Sequence, residues 1–210
     1  MDNPKSSLRT LQKKHNFVLL TQHEFDRFIL KKNIRIPQRH HEHFQKILRR
    51  SSPWSALIGD GKGSLIEADA KEGFFSTHEI SIIKMNPPAF AVDLVQAWVK
   101  PKALAFIVQK AAELGVRSIT LFPSALSMRE KENTRRLDAI IENACMQSYN
   151  LFKPQLSFLE DISQIKGSPH DTFFGDLSAN LFFSQIKKNE SKSAVFINGP
   201  EGGFTDEEIQ

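Results

Sequence analysis

The stretch Val195-Phe196-Ile197-Asn198-Gly199-Pro200-Glu201-Gly202-Gly203-Phe204-Thr205 decides the fold of the C-terminal half of this 210-residue chain. Its first three residues are apolar and predict a strand, and Thr205 with Glu208 forms the capping box that begins a helix. The glycines between them permit positive φ angles and let a ligand lie against the backbone. We therefore predict a strand, a ligand-binding loop and a helix, although a Gly-Pro loop can also be only a tight connection.

The order of residues in this loop is typical of one enzyme family. Ile-Asn-Gly-Pro-Glu-Gly-Gly-Phe-Thr-Asp-Glu-Glu-Ile at 197–209 resembles the signature of RsmE-type 16S ribosomal RNA uridine N3-methyltransferases, which are knotted, S-adenosylmethionine-dependent enzymes of the SPOUT class. Residues 106–116 are similar to the helix of that family that ends in Gln-Lys-x-x-Glu-Leu-Gly-Val. Residues 43–49 and the Gly-Asp-Gly-Lys-Gly run at 59–63 are similar to its N-terminal domain. The resemblance spans the chain from about residue 40 onward.

The Pro-Pro pair at 87–88 separates two regions with different patterns. Strands alternate with helices after it, which favours a largely parallel sheet, whereas short strands and turns precede it. The predicted strands are 17–21, 54–59, 64–70, 79–85, 91–99, 118–122, 172–174 and 193–197, with helices at 102–114 and 131–148 and an amphipathic segment near 38–49. We predict an α/β protein with a β-barrel at 1–86, resembling a PUA domain, and a SPOUT-type α/β domain at 87–210.

The resemblance implies that the C-terminal domain binds S-adenosylmethionine and methylates N3 of a uridine. Glu201 would orient a ribose hydroxyl or an amino group, by analogy with other acidic ribose binders. The residues that we assign to the cofactor are Phe174, Gly175, Gly199, Pro200, Glu201, Gly202 and Gly203.

The residues that we assign to catalysis are Lys110, Glu113 and Arg129. Lys110 and Glu113 lie three positions apart on one helix face, so they could equally form a simple surface ion pair. The family has an arginine after its third strand where this chain has Leu126. Arg129 is close enough in sequence to substitute for that arginine.

The formal net charge is +4, and basic residues concentrate before residue 51. Such a surface attracts phosphate without reading sequence. A solvated basic face is the alternative, and the resemblance favours RNA. The residues that we assign to RNA binding are Arg39, His43, Lys46, Arg49, Arg50 and Gln147, although Gln147 with Ser148 could be only a helix C-cap.

Two departures from the family pattern keep other functions open. Asn150 stands where the family commonly has a second arginine, besides the one replaced by Leu126. The sequence also stops at Gln210, so we expect an incomplete trefoil knot. The alternatives are a catalytically inactive RNA-binding protein on the same scaffold and a SPOUT methyltransferase with another RNA target.

Several other classes of site find no support in the sequence. The single cysteine, Cys145, lies on the apolar face of a helix and offers no disulfide framework. His40, His41 and His43 lack further ligands, so we expect no metal. No apolar run reaches about 20 residues, so we expect a cytoplasmic protein that does not enter a membrane. The resemblance implies 16S ribosomal RNA or the small ribosomal subunit as partner, and a homodimer.

Overall fold

The computed structural model describes residues 15–40, 54–127, 133–165, 171–175, 185 and 191–209. The chain divides into two compact units. The first comprises Met1–Pro87 together with Cys145–Phe152, and the second comprises Pro88–Ala144 together with Lys153–Gln210. Both units therefore draw on two separate segments of the chain.

A six-stranded sheet forms the first unit. Its strand order is β1-β3-β4-β5-β2, with β6 paired to β4, and only β1 and β3 run parallel. Among the described strands β1 and β2 lie at opposite ends of this path without pairing, so the PUA-like barrel stays a prediction. The strands are β1 (Asn16–Leu19), β2 (Asn33–Arg35), β3 (Trp54–Gly59), β4 (Ser64–Lys71), β5 (Phe74–Ser76) and β6 (Ile83–Lys84).

The first unit also contains helix α1 (Gln22–Lys31), which our sequence-based prediction lacks. Its start is a capping box, because the Thr21 hydroxyl accepts from the Glu24 amide at 3.3 Å and the Glu24 carboxylate accepts from the Thr21 amide at 2.9 Å. Phe25 and Phe28 bury its apolar face. Of the predicted amphipathic segment near 38–49, only residues 38–40 are described, and they are helical.

The segment Cys145–Phe152 belongs to the first unit through specific contacts. The Tyr149 hydroxyl donates to the His15 carbonyl at 2.7 Å, and its ring stacks on Phe17 with centroids 5.9 Å apart. The Gly63 amide donates to the Leu151 carbonyl at 3.2 Å. A single boundary at the Pro-Pro pair 87–88 would assign Cys145–Phe152 to the second unit, whereas its contacts are with the first.

The second unit contains a five-stranded sheet in the order β10-β11-β7-β8-β9, and every pairing in it is parallel. This confirms the α/β class and the parallel sheet, whereas the incomplete trefoil knot stays a prediction. Strand β9 is absent from the sequence-based prediction because its run is only four residues long, although these alternate between polar and apolar side chains. The strands are β7 (Ala91–Ala97), β8 (Ser118–Phe122), β9 (Gln155–Phe158), β10 (Asp171–Phe174) and β11 (Ser193–Asn198).

The helices of this unit follow their sequence signals. Helix α2 (Pro101–Leu114) begins with proline and ends before Gly115, whose φ of 80° suits glycine. Helix α3 (Thr134–Ser148) buries Leu137 in this unit and continues into the segment of the first unit that begins at Cys145, which is also buried. Helix α4 (Asp206–Ile209) follows the glycine-rich loop. A 3-10 turn spans Ile162–Ile165.

The apolar core beneath the loop consists of strand residues that are less than one-tenth exposed. They are Val95, Ala97, Phe122, Val195 and Ile197, with Phe174 and Phe204 packed against them. Within the described ranges, the helices are all too short or too polar to span a bilayer.

Candidate functional site

A cavity of about 360 Å³ lies where strands β10 and β11 end. The Gly175 amide donates to the Ile197 carbonyl at 3.4 Å, which sets the end of β10 beside the loop after β11. Carboxyl ends of parallel strands are the usual ligand sites of α/β sheets. The lining contains all seven residues that we assign to the cofactor: Phe174, Gly175, Gly199, Pro200, Glu201, Gly202 and Gly203, with Phe204 and Ile209.

Gly199 is required by close approach of a ring. A Cβ at this position would lie 2.7 Å from the Phe204 ring, far inside van der Waals contact. The ring cannot move aside freely, because its centroid lies 4.3 Å from that of Phe174 and 6.4 Å from that of Phe122. A side chain at 199 would therefore disturb the floor of the cavity.

Gln96 holds the loop from the neighbouring strand, and sequence reasoning missed it. Its side chain is 2% exposed, and its amide nitrogen donates to the Gly199 carbonyl at 3.2 Å and to the Ala97 carbonyl at 3.0 Å. Register places Gln96 opposite Asn198. A glutamine inside the apolar strand β7 is the signal that could have found it, because a buried amide needs partners.

The second half of the loop turns tightly beside Leu126. The Gly203 amide donates to the Pro200 carbonyl at 3.0 Å, and Gly203 has a φ of 77°. A Cβ on Gly202 would lie 3.3 Å from the Cβ of Leu126. Leu126, the residue at which the resemblance suggests a family arginine, thus packs an apolar side chain against the loop.

The Glu201 carboxylate contacts backbone in this structure. It accepts from the Lys100 amide at 3.3 Å. Hydrogen bonds from its own amide and from the Lys100 amide hold the pKa of Glu201 below its ordinary value, against a small opposing effect of burial. Glu201 is therefore ionised at neutral pH, and its role toward a ribose stays a prediction.

Glu208 joins the start of α4 to the turn that follows β8. One carboxylate oxygen accepts from the Ala125 amide at 2.9 Å. The other accepts from the Thr205 amide at 3.0 Å, the Ser124 hydroxyl at 3.2 Å and the Thr205 hydroxyl at 3.4 Å. Partial burial acts to raise the pKa of Glu208, but the Thr205 and Ala125 amides and the two hydroxyls outweigh it and lower the pKa.

A larger cavity of about 820 Å³ adjoins this site. It shares Phe174 and Ile209 with the first cavity and extends along Pro123, Ala125 and the 3-10 turn. The two cavities together offer room for a cofactor and a second group beside it.

Lys110 and Glu113, the two assigned catalytic residues that the structure describes, do not line these cavities. The ammonium of Lys110 lies 2.6 Å from the Glu113 carboxylate, which also accepts from Gln109 at 2.8 Å. Those two side chains, foremost Lys110, lower the pKa of Glu113. Lys110 lies about 15 Å along α2 from the Lys100 contact with the loop, at 1.5 Å per residue. Arg129 lies outside the described residues.

Of the residues assigned to RNA, the structure describes Arg39 and Gln147. The Arg39 guanidinium binds both oxygens of Glu24, at 3.0 and 2.6 Å, and Gln147 is exposed. His43, Lys46, Arg49 and Arg50 lie outside the described residues. Asn150, at the other family arginine position, accepts from the Phe152 amide at 3.1 Å.

The part of the chain that the structure describes contains no cluster of three or more histidine, cysteine or acidic side chains able to hold a metal ion. His40 is 1% exposed and its Nε2 lies 2.7 Å from the Leu19 carbonyl oxygen. Its ring is therefore part of the core of the first unit.

Comparison with known proteins places these features in a family. Residues 86–210, more than half of the chain, match the family model described as an RNA methyltransferase domain. Over 134 residues the chain is 31% identical to the ribosomal RNA small subunit methyltransferase E of Mesomycoplasma hyopneumoniae. That match covers 60% of this chain and 58% of the relative, so the chain spans less than two thirds of the relative's length.

Solved structures share the fold. A ribosomal RNA small subunit methyltransferase E from Neisseria gonorrhoeae, bound to S-adenosyl methionine, superposes with a TM-score of 0.76 at 21% identity, covering 93% of this chain and 84% of that one. A putative methyltransferase from Legionella pneumophila, in complex with the same cofactor, has a TM-score of 0.76 at 20% identity, with the same coverage.

Proposed function

Because the chain belongs to the RNA methyltransferase domain family, we propose that it transfers a methyl group from S-adenosylmethionine to N3 of a uridine in 16S ribosomal RNA. The observation that carries this proposal is the cavity in which Phe174, Gly175 and residues 199–203 come together. The relatives named for small-subunit ribosomal RNA support the choice of substrate.

The cavity fits the cofactor in size and in chemistry. Its volume of about 360 Å³ lies within the range of small-molecule sites. Its wall is backbone at Gly199 and Gly202, where a Cβ would meet Phe204 or Leu126 and where a ligand could instead approach the main chain. The two relatives crystallised with S-adenosylmethionine support this identity.

Within this proposal the chain's own residues contribute mainly orientation. S-adenosylmethionine, when bound, supplies the methyl group on its sulfonium. Gln96 and the Lys100 amide hold the loop at Gly199 and Glu201, and Phe174 with Phe204 forms an apolar wall that excludes water. Holding two reactants in line contributes much of the rate in transfers that need no covalent enzyme intermediate.

The uridine must also be drawn out of its stacked position and lose its N3 proton. We assign the adjoining larger cavity to the base, since it opens beside Phe174. Lys110, Glu113 and Arg129 are proposed to brace the RNA near this domain. The basic N-terminal region, with Arg39 among its members, is proposed to hold phosphates.

A homodimer, a cytoplasmic location and a PUA-like role for the first unit complete the proposal. The TM-scores over more than nine-tenths of the chain support a common fold with the relatives for both units. Analytical ultracentrifugation of the purified chain would test the homodimer, and sedimentation as a monomer would contradict it.

Incubation with radiolabelled S-adenosylmethionine and either 16S ribosomal RNA or transfer RNA tests the function. We expect label in 16S ribosomal RNA and 3-methyluridine after digestion to nucleosides. Label in transfer RNA alone would favour the methyltransferase with another target. RNA binding without any label would favour the alternative of a catalytically inactive RNA-binding protein. That alternative is tested because Leu126 and Asn150 stand where the family commonly has arginines.

A further inference from the structure

The turn after β8 carries the residue that covers Gly202. The Ser127 amide donates to the Ser124 carbonyl at 3.0 Å, and the Ser127 hydroxyl accepts from the Ser124 amide at 3.0 Å, so residues 124–127 form a closed β-turn. Leu126 occupies the third position of this turn. Its side chain lies against Gly202, where an added Cβ would approach it to 3.3 Å.

Among the residues that the structure describes, the hydrogen bonds between this turn and the start of α4 all go to one carboxylate. Glu208 accepts from Ser124 and Ala125, the first two residues of the turn, at 3.2 and 2.9 Å. The same group accepts from the Thr205 amide at 3.0 Å, immediately after the glycine-rich loop. One side chain therefore bonds the segments on both sides of the Leu126–Gly202 contact.

We propose that Glu208 is a positioning residue, which ties the 124–127 turn to the end of the glycine-rich loop and so holds Leu126 in place against Gly202 in the wall of the cofactor cavity. This inference rests on the proposed function for the identity of the ligand. It goes beyond helix capping, since capping needs only the Thr205 bonds, whereas Ser124 and Ala125 belong to a distant part of the chain.

The carboxylate is suited to this role by its acceptor capacity. Both oxygens receive donors, with an amide N–H on each. A glutamine in its place has one acceptor oxygen and one NH₂ group, so either the Ala125 or the Thr205 amide would face a donor. Glu208→Gln therefore removes one of these two amide hydrogen bonds, and with it one end of the link, while it keeps the size of the side chain.

The test combines amide hydrogen exchange in the free protein with calorimetric titration of S-adenosylmethionine. In Glu208→Gln we expect exchange of the Ala125 amide or of the Thr205 amide to become about tenfold faster and the Kd for S-adenosylmethionine to rise about tenfold, since hydrogen bonds to a charged group are lost. The matched control is Asp206→Asn, which removes the same charge from an exposed position in the same helix. It should change neither quantity.

A double-mutant cycle with Leu126→Ala separates positioning from general destabilisation. If Glu208 acts through Leu126, Glu208→Gln should weaken cofactor binding by less than threefold in the Leu126→Ala background. Additive effects of the two substitutions would overturn the positioning role. Should Glu208→Gln fail to fold, Ser124→Ala removes only the hydroxyl partner and should shift exchange and Kd in the same direction by a smaller factor.

The outcomes distinguish this inference from the proposed function. Unchanged exchange of both the Ala125 and the Thr205 amides in Glu208→Gln would overturn the link itself, and faster exchange of either amide with unchanged Kd would overturn its role in the cavity wall. No binding by the unaltered chain would overturn the cofactor assignment, and with it the positioning role, while the exchange data would still decide the link between α4 and the turn.

Discussion

Two helices in this molecule begin with the same four-residue pattern, and they use it differently. Thr21 and Glu24 cap α1 in the first unit, and Thr205 and Glu208 cap α4 in the second. In each case the threonine hydroxyl accepts from the glutamate amide and the carboxylate accepts from the threonine amide. The local physics of helix initiation is therefore identical.

The difference lies in the remaining acceptor capacity of each carboxylate. Glu24 gives it to the guanidinium of Arg39, which forms a fork at 3.0 and 2.6 Å. Glu208 gives it to a hydroxyl and a main-chain amide of the turn beside the glycine-rich loop. A capping box thus specifies where a helix starts, and only its wider contacts decide whether it serves stability or a site.

The largest effect should come from replacing Gly199, the glycine that lets the loop pass close to the Phe204 ring in the wall of the cavity. Gly199→Ala places a methyl group 2.7 Å from the packed Phe204 ring, and overpacking of this kind costs about 2 kcal/mol. Since the free protein relieves this clash by a shift of the Phe204 ring and binding has to restore the original wall, we expect S-adenosylmethionine affinity to fall about thirtyfold by calorimetry, because 1.4 kcal/mol is tenfold.

Gly175→Ala is the matched control for stability. A Cβ there meets no atom within 4 Å, so the thermal midpoint should stay within about 1 °C of the unaltered chain.

Unchanged cofactor affinity in Gly199→Ala would show that the loop does not form the binding wall.

The next effect separates the two capping boxes. Glu24→Gln weakens the cap and the Arg39 fork, so the chain should lose about 1 kcal/mol of unfolding free energy in urea. Its affinity for S-adenosylmethionine should match that of the unaltered chain, in contrast to Glu208→Gln. A loss of affinity in Glu24→Gln comparable to that in Glu208→Gln would abolish the distinction between the two regions.

Acid should weaken both capping boxes, since the pKa of each glutamate, Glu24 and Glu208, is lowered in the folded protein. Burial acts to raise the pKa of Glu24, but the hydrogen bonds and charge of Arg39 and the Thr21 amide lower it from 4.5 to about 2. Because the folded pKa is depressed, the stabilisation is complete above pH 4.5 and is lost as the pH falls toward about 2. The stability difference between the unaltered chain and Glu24→Gln, measured in urea, should therefore shrink over this range. A constant difference would contradict the ionic account.

The smallest effect is expected at Lys110. Its ion pair with Glu113 is half-exposed, with 43% of the Lys110 side chain accessible, so Lys110→Met should lower the stability of the fold only slightly. The denaturation midpoint measures this directly. A midpoint change as large as that of Glu24→Gln would contradict this expectation, and a tenfold loss of methyl transfer with intact stability would support a role of Lys110 toward the RNA or the reaction.

Much of the second unit could be predicted because its signals are local and long. Alternating strands and periodic helices gave the parallel sheet, and the glycines with Phe174 and Gly175 gave the lining of the cavity. The first unit was harder to predict, because β2, β5 and β6 have only two or three residues and acquire their order from pairing. Helix α1 was missed although Thr21 and Glu24 carry its signal.

The contacts that hold the site together could not be predicted, because they join distant parts of the chain. Gln96 reaches Gly199 across 103 positions, and Glu208 reaches Ser124 across 84. Neither separation has a periodic signature. A buried glutamine in an apolar strand and a capping glutamate were visible, but their partners were not.

The most direct test of this account is a titration of S-adenosylmethionine into the chain, followed residue by residue through the amide signals in NMR spectra. We predict shifts at Gly175, Gly199, Gly202 and Gly203, and none at Thr21 and Glu24. The account would be contradicted if the amide signals of these glycines did not shift at saturating cofactor, or if those of Thr21 and Glu24 shifted instead.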